Sequence, residues 1–272
     1  MKIVVIGGSG FIGGHVVQAL IKAKHKVTIY DLKKPSFDYK NCKFFRGNIN
    51  NKKVLNKAIK GKDIVFNFAA LADIDKAKNK PLETIKNNIE GTIQILKICK
   101  FNNIKKIIHA SSIYANSKEG GYYAISKRAA EDYLEEYCKS KNLKFVVLRF
   151  GSLYGDRADT NNGIQRILNT MVYKRKLIYR GQRKAARKYI NVKDAANYCV
   201  KILQKKYPEY QKLLRKRTET IIPEIQKLKS NSQELFDATL SFGFYQRLKF
   251  QGMDKININK SINDLCKKIL KI

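Results

Sequence analysis

The sequence predicts an α/β fold, a doubly wound parallel sheet followed by a small C-terminal lobe. Three observations carry this. Short apolar, β-branched runs alternate with helix-periodic stretches over roughly the first 150 residues. The first run, Lys2-Ile3-Val4-Val5-Ile6, passes straight into a glycine turn and a helix. The second, Val27-Thr28-Ile29-Tyr30, ends in a lone acid, Asp31.

The first element has the uninterrupted apolar character of a strand covered on both faces. In the turn Gly7-Gly8-Ser9-Gly10-Phe11-Ile12-Gly13, each glycine has its own task. Gly7 allows the sharp exit, Gly10 lets backbone approach a pyrophosphate, and Gly13 lets the helix through Val16, Val17, Leu20 and Ile21 lie close to the sheet. The free N–H groups at that helix start, Phe11 and Ile12 among them, attract phosphates. Asp31 stands 18 residues beyond Gly13, near the ~20 of a dinucleotide-binding turn. Its carboxylate would accept from the adenosine ribose and repel a 2′-phosphate, so the cofactor read here is NAD. Lys33 and Lys34 soften that preference.

A loop with Pro35 leads to a short strand at Lys43-Phe44-Phe45-Arg46, then Gly47-Asn48-Ile49 and a helix through Val54, Leu55, Ala58 and Ile59. Ile64-Val65-Phe66-Asn67 is the next strand, and Phe68-Ala69-Ala70 at its end leaves room for the cofactor to cross the sheet. Pro81 opens a long helix whose stripe is Leu82, Ile85, Ile89, Ile93, Leu96 and Ile98. Asn88 inside it either turns toward the cofactor site or is a surface residue. A strand over Lys105–Ala110 ends in Ser111-Ser112, a helix runs from Tyr122 to about Ser140, and Lys144–Arg149 forms a further strand. The parallel arrangement follows from right-handed crossovers. The expected division is a dinucleotide-binding (Rossmann) domain over 1–160 and a lobe over 161–272, divergent after about 205.

Composition narrows the class. At 272 residues and 44% hydrophobic content the chain builds an ordinary globular core. It opens directly into a strand, which leaves no room for a signal peptide, and no apolar run reaches the ~20 residues of a membrane span. Five scattered cysteines without a C-x-x-C pair suit a reducing cytoplasm, and no metal site is expected. Net charge is +34, from 56 Lys and Arg against 22 Asp and Glu. That balance suits a nucleic-acid or anionic-surface binder, or a lysine-rich composition spread over solvated faces. With lysines along the whole chain and no aromatic-interleaved basic block, specific nucleic-acid binding is not expected.

Tyr123 and Lys127 are four apart, hence on one helix face. A phenol of pKa near ~10 is too weak a base at neutral pH. An ammonium one turn away would favour the phenolate, and a serine hydroxyl at the strand end could hold the reacting oxygen in line.

With these pieces in order, the chain resembles the extended short-chain dehydrogenase/reductase family, in its NAD-dependent nucleotide-sugar epimerase/dehydratase branch. The glycine turn, Asp31, Phe68-Ala69-Ala70, Asn88-Ile89-Glu90-Gly91-Thr92, Ser111-Ser112, Tyr123 with Lys127, Arg149 to Gly155, and Arg187 to Ala196 carry the resemblance over about residues 1–205. It implies a UDP-sugar 4-epimerase-like enzyme of nucleotide-sugar metabolism that oxidises its substrate transiently to a keto-sugar. The catalytic residues would be Ser112, Tyr123 and Lys127. Gly7, Gly10, Phe11, Ile12, Gly13, Asp31, Asn48, Ile49, Phe68, Ala69, Ala70, Asn88, Tyr123 and Lys127 would hold NAD, and Ser111, Ser112 and Arg187 would hold substrate. A homodimer through the helices of Asn88 and Lys127 is also implied. Asn48 replaces the usual adenine-contacting aspartate, and Asp156 replaces a proline. The loop between Ser112 and Tyr123 is shorter than usual, which leaves the choice of serine open, with the strand count favouring Ser112. Dehydratases of this branch carry an Asp-Glu pair after the active-site hydroxyl. Here Ile113-Tyr114 stands instead, which argues against water loss. A nucleotide-keto-sugar reductase and a non-catalytic NAD-binding protein are the alternatives.

Overall fold

The computed structural model describes residues 1–174 and 189–204. Of these, 1–150 and 196–204 form one compact unit, and 151–174 with 189–195 form a second.

The first unit is built on six parallel strands in the order β3-β2-β1-β4-β5-β6. They are β1 Lys2–Ile6, β2 Lys26–Asp31, β3 Lys43–Arg46, β4 Ile64–Asn67, β5 Lys106–Ser112 and β6 Lys144–Phe150. The strand order reverses at β1, whose neighbours are β2 and β4. Such a switch point opens a crevice at the carboxyl edge, where a ligand can lie across the sheet. The helices α1 Phe11–Lys22, α2 Lys52–Ile59, α5 Gly91–Phe101 and α6 Gly121–Ser140 provide crossovers. The core beneath α2, α5 and α6 joins Val4, Ile6, Val65 and Ile107 of the sheet to Leu55, Ile95, Leu96 and Leu134 of the helices. These β-branched strand positions are covered on both faces, which is why they read as unbroken apolar runs.

After α3 Ile74–Asn79, the long helix expected from Pro81 is divided. α4 Pro81–Thr84 leads into a π-helical turn, Ile85–Glu90, and only then into α5. There the Gly91 N–H donates to the Lys86 carbonyl, five residues back, and the Thr92 hydroxyl takes the Asn88 carbonyl at 2.7 Å. The extra residue in this turn swings Asn88 inward, to 2% exposure. The surface alternative for Asn88 is therefore wrong. Apolar spacing at i, i+3 and i+4 survives one π turn, so periodicity does not reveal it.

The second unit contains a two-stranded parallel sheet, β7 Ser152–Tyr154 with β8 Tyr189–Asn191, that the sequence did not predict. Strands of three residues carry too few positions for alternation to show. α7 Gly163–Lys174 follows β7, and α8 Val192–Gln204 follows β8. Asn162 Nδ2 donates to the Leu153 carbonyl at 2.7 Å. Asp156 pairs with Lys193 at 3.1 Å, which gives this departure from the family pattern a local partner. Arg187 lies outside the described residues, and so do three segments that the sequence suggests toward the C-terminus: a helix at 223–228, a linker at 230–233 and a basic helix at 262–270.

Candidate active site

The glycine turn runs against the loop that leaves β4. A Cβ on Gly7 would come within 2.7 Å of the Ala69 nitrogen and the Phe68 carbonyl carbon, and Gly7 holds φ +78°. Gly13 touches the Gly7 carbonyl oxygen so closely that any side chain there would strike backbone. By contrast, a Cβ on Gly10 would meet only that same oxygen, at 3.3 Å, so this glycine faces open space over the turn. Asp31 reaches across from β2. Its Oδ2 accepts from the Ser9 N–H at 2.9 Å and its Oδ1 from the Lys33 N–H at 3.2 Å. Ser9 Oγ is buried and has no partner among the described residues. An open glycine cradle, a helix N-terminus, a fixed carboxylate and an unused hydroxyl together fit a dinucleotide.

Phe11 and Ile12 sit half-buried at the start of α1. Phe68 stacks between Phe66 and Phe150, at ring distances of 5.9 and 6.3 Å, and meets the glycine turn through its backbone. Asn48 is exposed and turns its side-chain oxygen onto the Asn50 N–H at 2.9 Å, while its carbonyl accepts from the Tyr30 hydroxyl at 2.6 Å. Ile49 is buried against Gly91.

α6 supplies the candidate catalytic side chains. Gly120 at φ +87° and Gly121 at φ +51° turn the chain into its first residues, a conformation only glycine adopts without strain. Tyr123 and Lys127 follow on one face, and both are buried, at 9% and 5% exposure. The Lys127 ammonium lies 6.0 Å from the Tyr123 ring centroid and donates to the Ala110 carbonyl of β5 at 2.9 Å. Burial lowers Lys127 to about 8, against the opposing pull of the Glu131 carboxylate. Glu131 is held one turn on by the Arg149 fork, with Nε at 3.0 Å from each carboxylate oxygen.

The Ser112 hydroxyl accepts from the Tyr114 N–H at 3.3 Å and acts on the Tyr123 phenol, favouring its charged form. Ser111 does not join them. Strand alternation puts it, with Ile107 and His109, on the face covered by α5 and α6, where its hydroxyl is buried and has no partner among the described residues. The pKa depression expected at Tyr123 is not found. Burial raises the phenol, the Ser112 side chain opposes that, and Tyr114 adds to it. The phenol and its lysine are buried together, and desolvation penalises the charged form of each.

Two asparagines tie this part of the molecule to the loop that leaves β4, through partners the sequence did not suggest. Asn67 Oδ1 accepts from the Ala69 N–H at 3.1 Å, and its Nδ2 lies 3.1 Å from His109 Nδ1. Asn88 grips Leu71 by both backbone groups, at 2.7 and 3.1 Å, and donates to Ser126 Oγ at 2.9 Å. Ser126 in turn donates to the Tyr123 carbonyl at 2.8 Å. The neighbouring Arg128 ties down the loop before α6 by donating to the carbonyls of Ala115 and Ser117 at 2.7 and 3.0 Å. Asn88→Ala would strand both Leu71 groups, and is expected to cost about 2–3 kcal/mol in urea unfolding.

His109 carries a pH signature. Burial, and then the Lys127 charge, hold it well below its ordinary value, so it stays neutral in the folded protein. Below about pH 6.5 the unfolded chain takes up a proton that the native state refuses, so this contribution is complete above that pH and is lost as pH falls. The slope is about 1.4 kcal/mol per pH unit. Thermal melts from pH 7 to 5 should therefore fall less steeply for His109→Gln than for the wild type. Parallel curves would refute the assignment.

Among the described residues no cluster of three His, Cys, Asp or Glu could hold a metal, and no helix is long and apolar enough to cross a membrane.

Residues 3–212 match the model of the NAD dependent epimerase/dehydratase family. The chain is 28% identical over 243 residues to a dTDP-D-glucose 4,6-dehydratase of Dictyostelium discoideum, covering 75% of this chain and 56% of that protein. It is 28% identical to a putative UDP-glucose 4-epimerase of Methanocaldococcus jannaschii, covering 71% and 70%. Among solved structures, a UDP-N-acetylglucosamine 4-epimerase of Methanobrevibacter ruminantium superposes with TM-score 0.68 at 30% identity, covering 76% of this chain and 74% of that one. The UDP-glucose 4-epimerase of Thermotoga maritima superposes with TM-score 0.69 at 26% identity, covering 75% and 74%. The chain thus spans little more than half the length of the Dictyostelium relative.

Proposed function

The chain belongs to the NAD-dependent epimerase/dehydratase family, and from that premise we propose that it is an NAD-dependent 4-epimerase of a UDP-activated sugar. The observation that carries this reading is the buried group of Ser112, Tyr123 and Lys127, with Ser112 ending β5 at the same carboxyl edge where the glycine turn leaves β1. The relatives named as 4-epimerases support the substrate class. Ile113 and Tyr114 lie where a dehydratase would need carboxylates, and this favours epimerisation over water loss.

NAD, held by the glycine turn and Asp31, supplies a reversible hydride acceptor. Tyr123 takes the proton of the sugar hydroxyl as general base and returns it once the keto-sugar has turned over. Ser112 holds the same oxygen and stabilises the phenolate by donating to it. Lys127, anchored on the Ala110 carbonyl with Glu131 sustaining its charge, places a cation beside the phenolate. Arg187 is assigned to the sugar-nucleotide diphosphate on sequence grounds. Exposed Leu82, Ile85, Tyr122, Ile125 and Tyr133, on α4, the π turn and α6, support a homodimer. Its mass by light scattering would be twice 31.3 kDa.

The test is incubation with UDP-glucose, UDP-galactose and their N-acetyl forms, followed by chromatography of the epimers. Exchange without net change in NADH is expected. Net NADH oxidation with a keto-sugar would identify a reductase instead, and NAD retention without sugar turnover would leave a non-catalytic binder.

A further inference from the structure

Lysine stands at the entry to every strand of the six-stranded sheet. β3, β2, β1, β5 and β6 begin at Lys43, Lys26, Lys2, Lys106 and Lys144, and Lys62 lies just before β4. Because every pairing is parallel, these residues share the amino edge, opposite the edge where Asp31, Asn67 and Ser112 end their strands. Lys2 pairs in register with Lys26, and Lys106 with Lys144. Like charges set opposite each other across a ladder cost stability. The crowding shows at Lys62, lowered by burial and then by Lys43 and Lys2, and at Lys106, lowered by burial and then by Lys144. The adjoining turns add Lys24, Lys60, Lys105 and Lys141. Asp63 is the one acid in these segments, and it is already engaged by Lys105 at 3.1 Å and the Lys2 N–H at 2.8 Å.

The cofactor and catalytic cluster use none of these charges. A partner for them must be anionic and must suit an edge of six strands, about 24 Å across at the usual strand spacing. The row holds lysine and no arginine. Flexible point charges suit a surface of many mobile anions better than the bidentate reading of a base or a single phosphate. Phe101, 78% exposed at the end of α5 where the chain turns back toward β5, places an aromatic ring beside the lysines. Basic side chains and an exposed ring on one edge match the headgroup region of a bilayer.

We propose that the amino edge of this sheet is a docking surface for an anionic lipid bilayer, which it meets with the catalytic edge turned toward the water. The inference does not depend on the reaction at the other edge.

The test is co-sedimentation of the full chain with vesicles of phosphatidylcholine alone or mixed equally with phosphatidylglycerol, at near-physiological ionic strength. Binding to the mixed vesicles only is expected. Replacing Lys2, Lys26, Lys43, Lys106 and Lys144 with Gln should weaken it about tenfold or more, since each lysine near the surface adds its own attraction. Removing the same charge elsewhere, by Gln at the exposed Lys52, Lys53, Lys78, Lys97 and Lys118, should change it less than about threefold. Hydrogen exchange on the unmodified protein needs no variant to fold, and should show vesicle-dependent protection at residues 24–27, 60–64, 104–107 and 141–145. Equal loss in the two variants, protection spread over all faces, absent binding, or tighter binding of a single-stranded RNA to the same lysines would each overturn the proposal.

Discussion

Tyr123→Phe should abolish measurable epimer exchange, a loss of about 10³-fold or more in turnover. The change removes one oxygen and keeps the ring that α6 buries against β5. That oxygen is the group that must carry the sugar proton, and no other described side chain offers a base at its position. The hydroxyl of Ser112 is too weak an acid and base to substitute. The fold should survive, because the variant keeps the buried ring and loses only a hydroxyl. Copurifying NAD, measured by mass spectrometry, should be unchanged. Undiminished exchange would sink the mechanism. Loss of NAD along with activity would mean instead that the phenol serves the cofactor site.

The second large effect is expected at Gly13→Ala. The new methyl would run into the Gly7 carbonyl oxygen and lie 2.9 Å from the Gly7 carbonyl carbon and 3.1 Å from the Gly8 Cα. All three are backbone atoms, so no side chain can swing aside. Gly7 cannot yield either, because it is pressed on Phe68 and Ala69. Overpacking of this kind costs about 3 kcal/mol, and relieving it means pulling α1 off the glycine turn. Urea unfolding should show the loss, and the purified variant should carry little NAD. Gly61→Ala is the control. It too has positive φ, +70°, but nothing lies within 4 Å of its Cβ position, so only backbone strain of about 1 kcal/mol is expected.

Much of the frame was legible because its signals are local. A β-branched run, a glycine turn and an apolar helix stripe are each read within a dozen residues, and the parallel order follows from their alternation. Tyr123 and Lys127 share a face by spacing alone. The Asn67–His109 and Asn88–Ser126 contacts join residues 42 and 38 apart, and no periodicity links positions at such distances. Asn88 shows the limit most clearly, because a single π turn decided whether its amide met solvent or the cofactor loop. The lysine row was equally hidden. In the chain these lysines are scattered, and the basic charge looked evenly spread.

The order of residues by itself determined the strand–turn–helix unit, the acid that closes β2 and the phenol–ammonium pair on α6. All of these depend on geometry repeating every two or every 3.6 residues. Only tertiary structure decided which groups lose their water and which distant groups meet. Burial raised the phenol and drew the lysine down to about 8, and parallel pairing gathered six separated lysines onto one edge. Desolvation and sheet register are properties of the packed molecule, set by segments that no local pattern brings together.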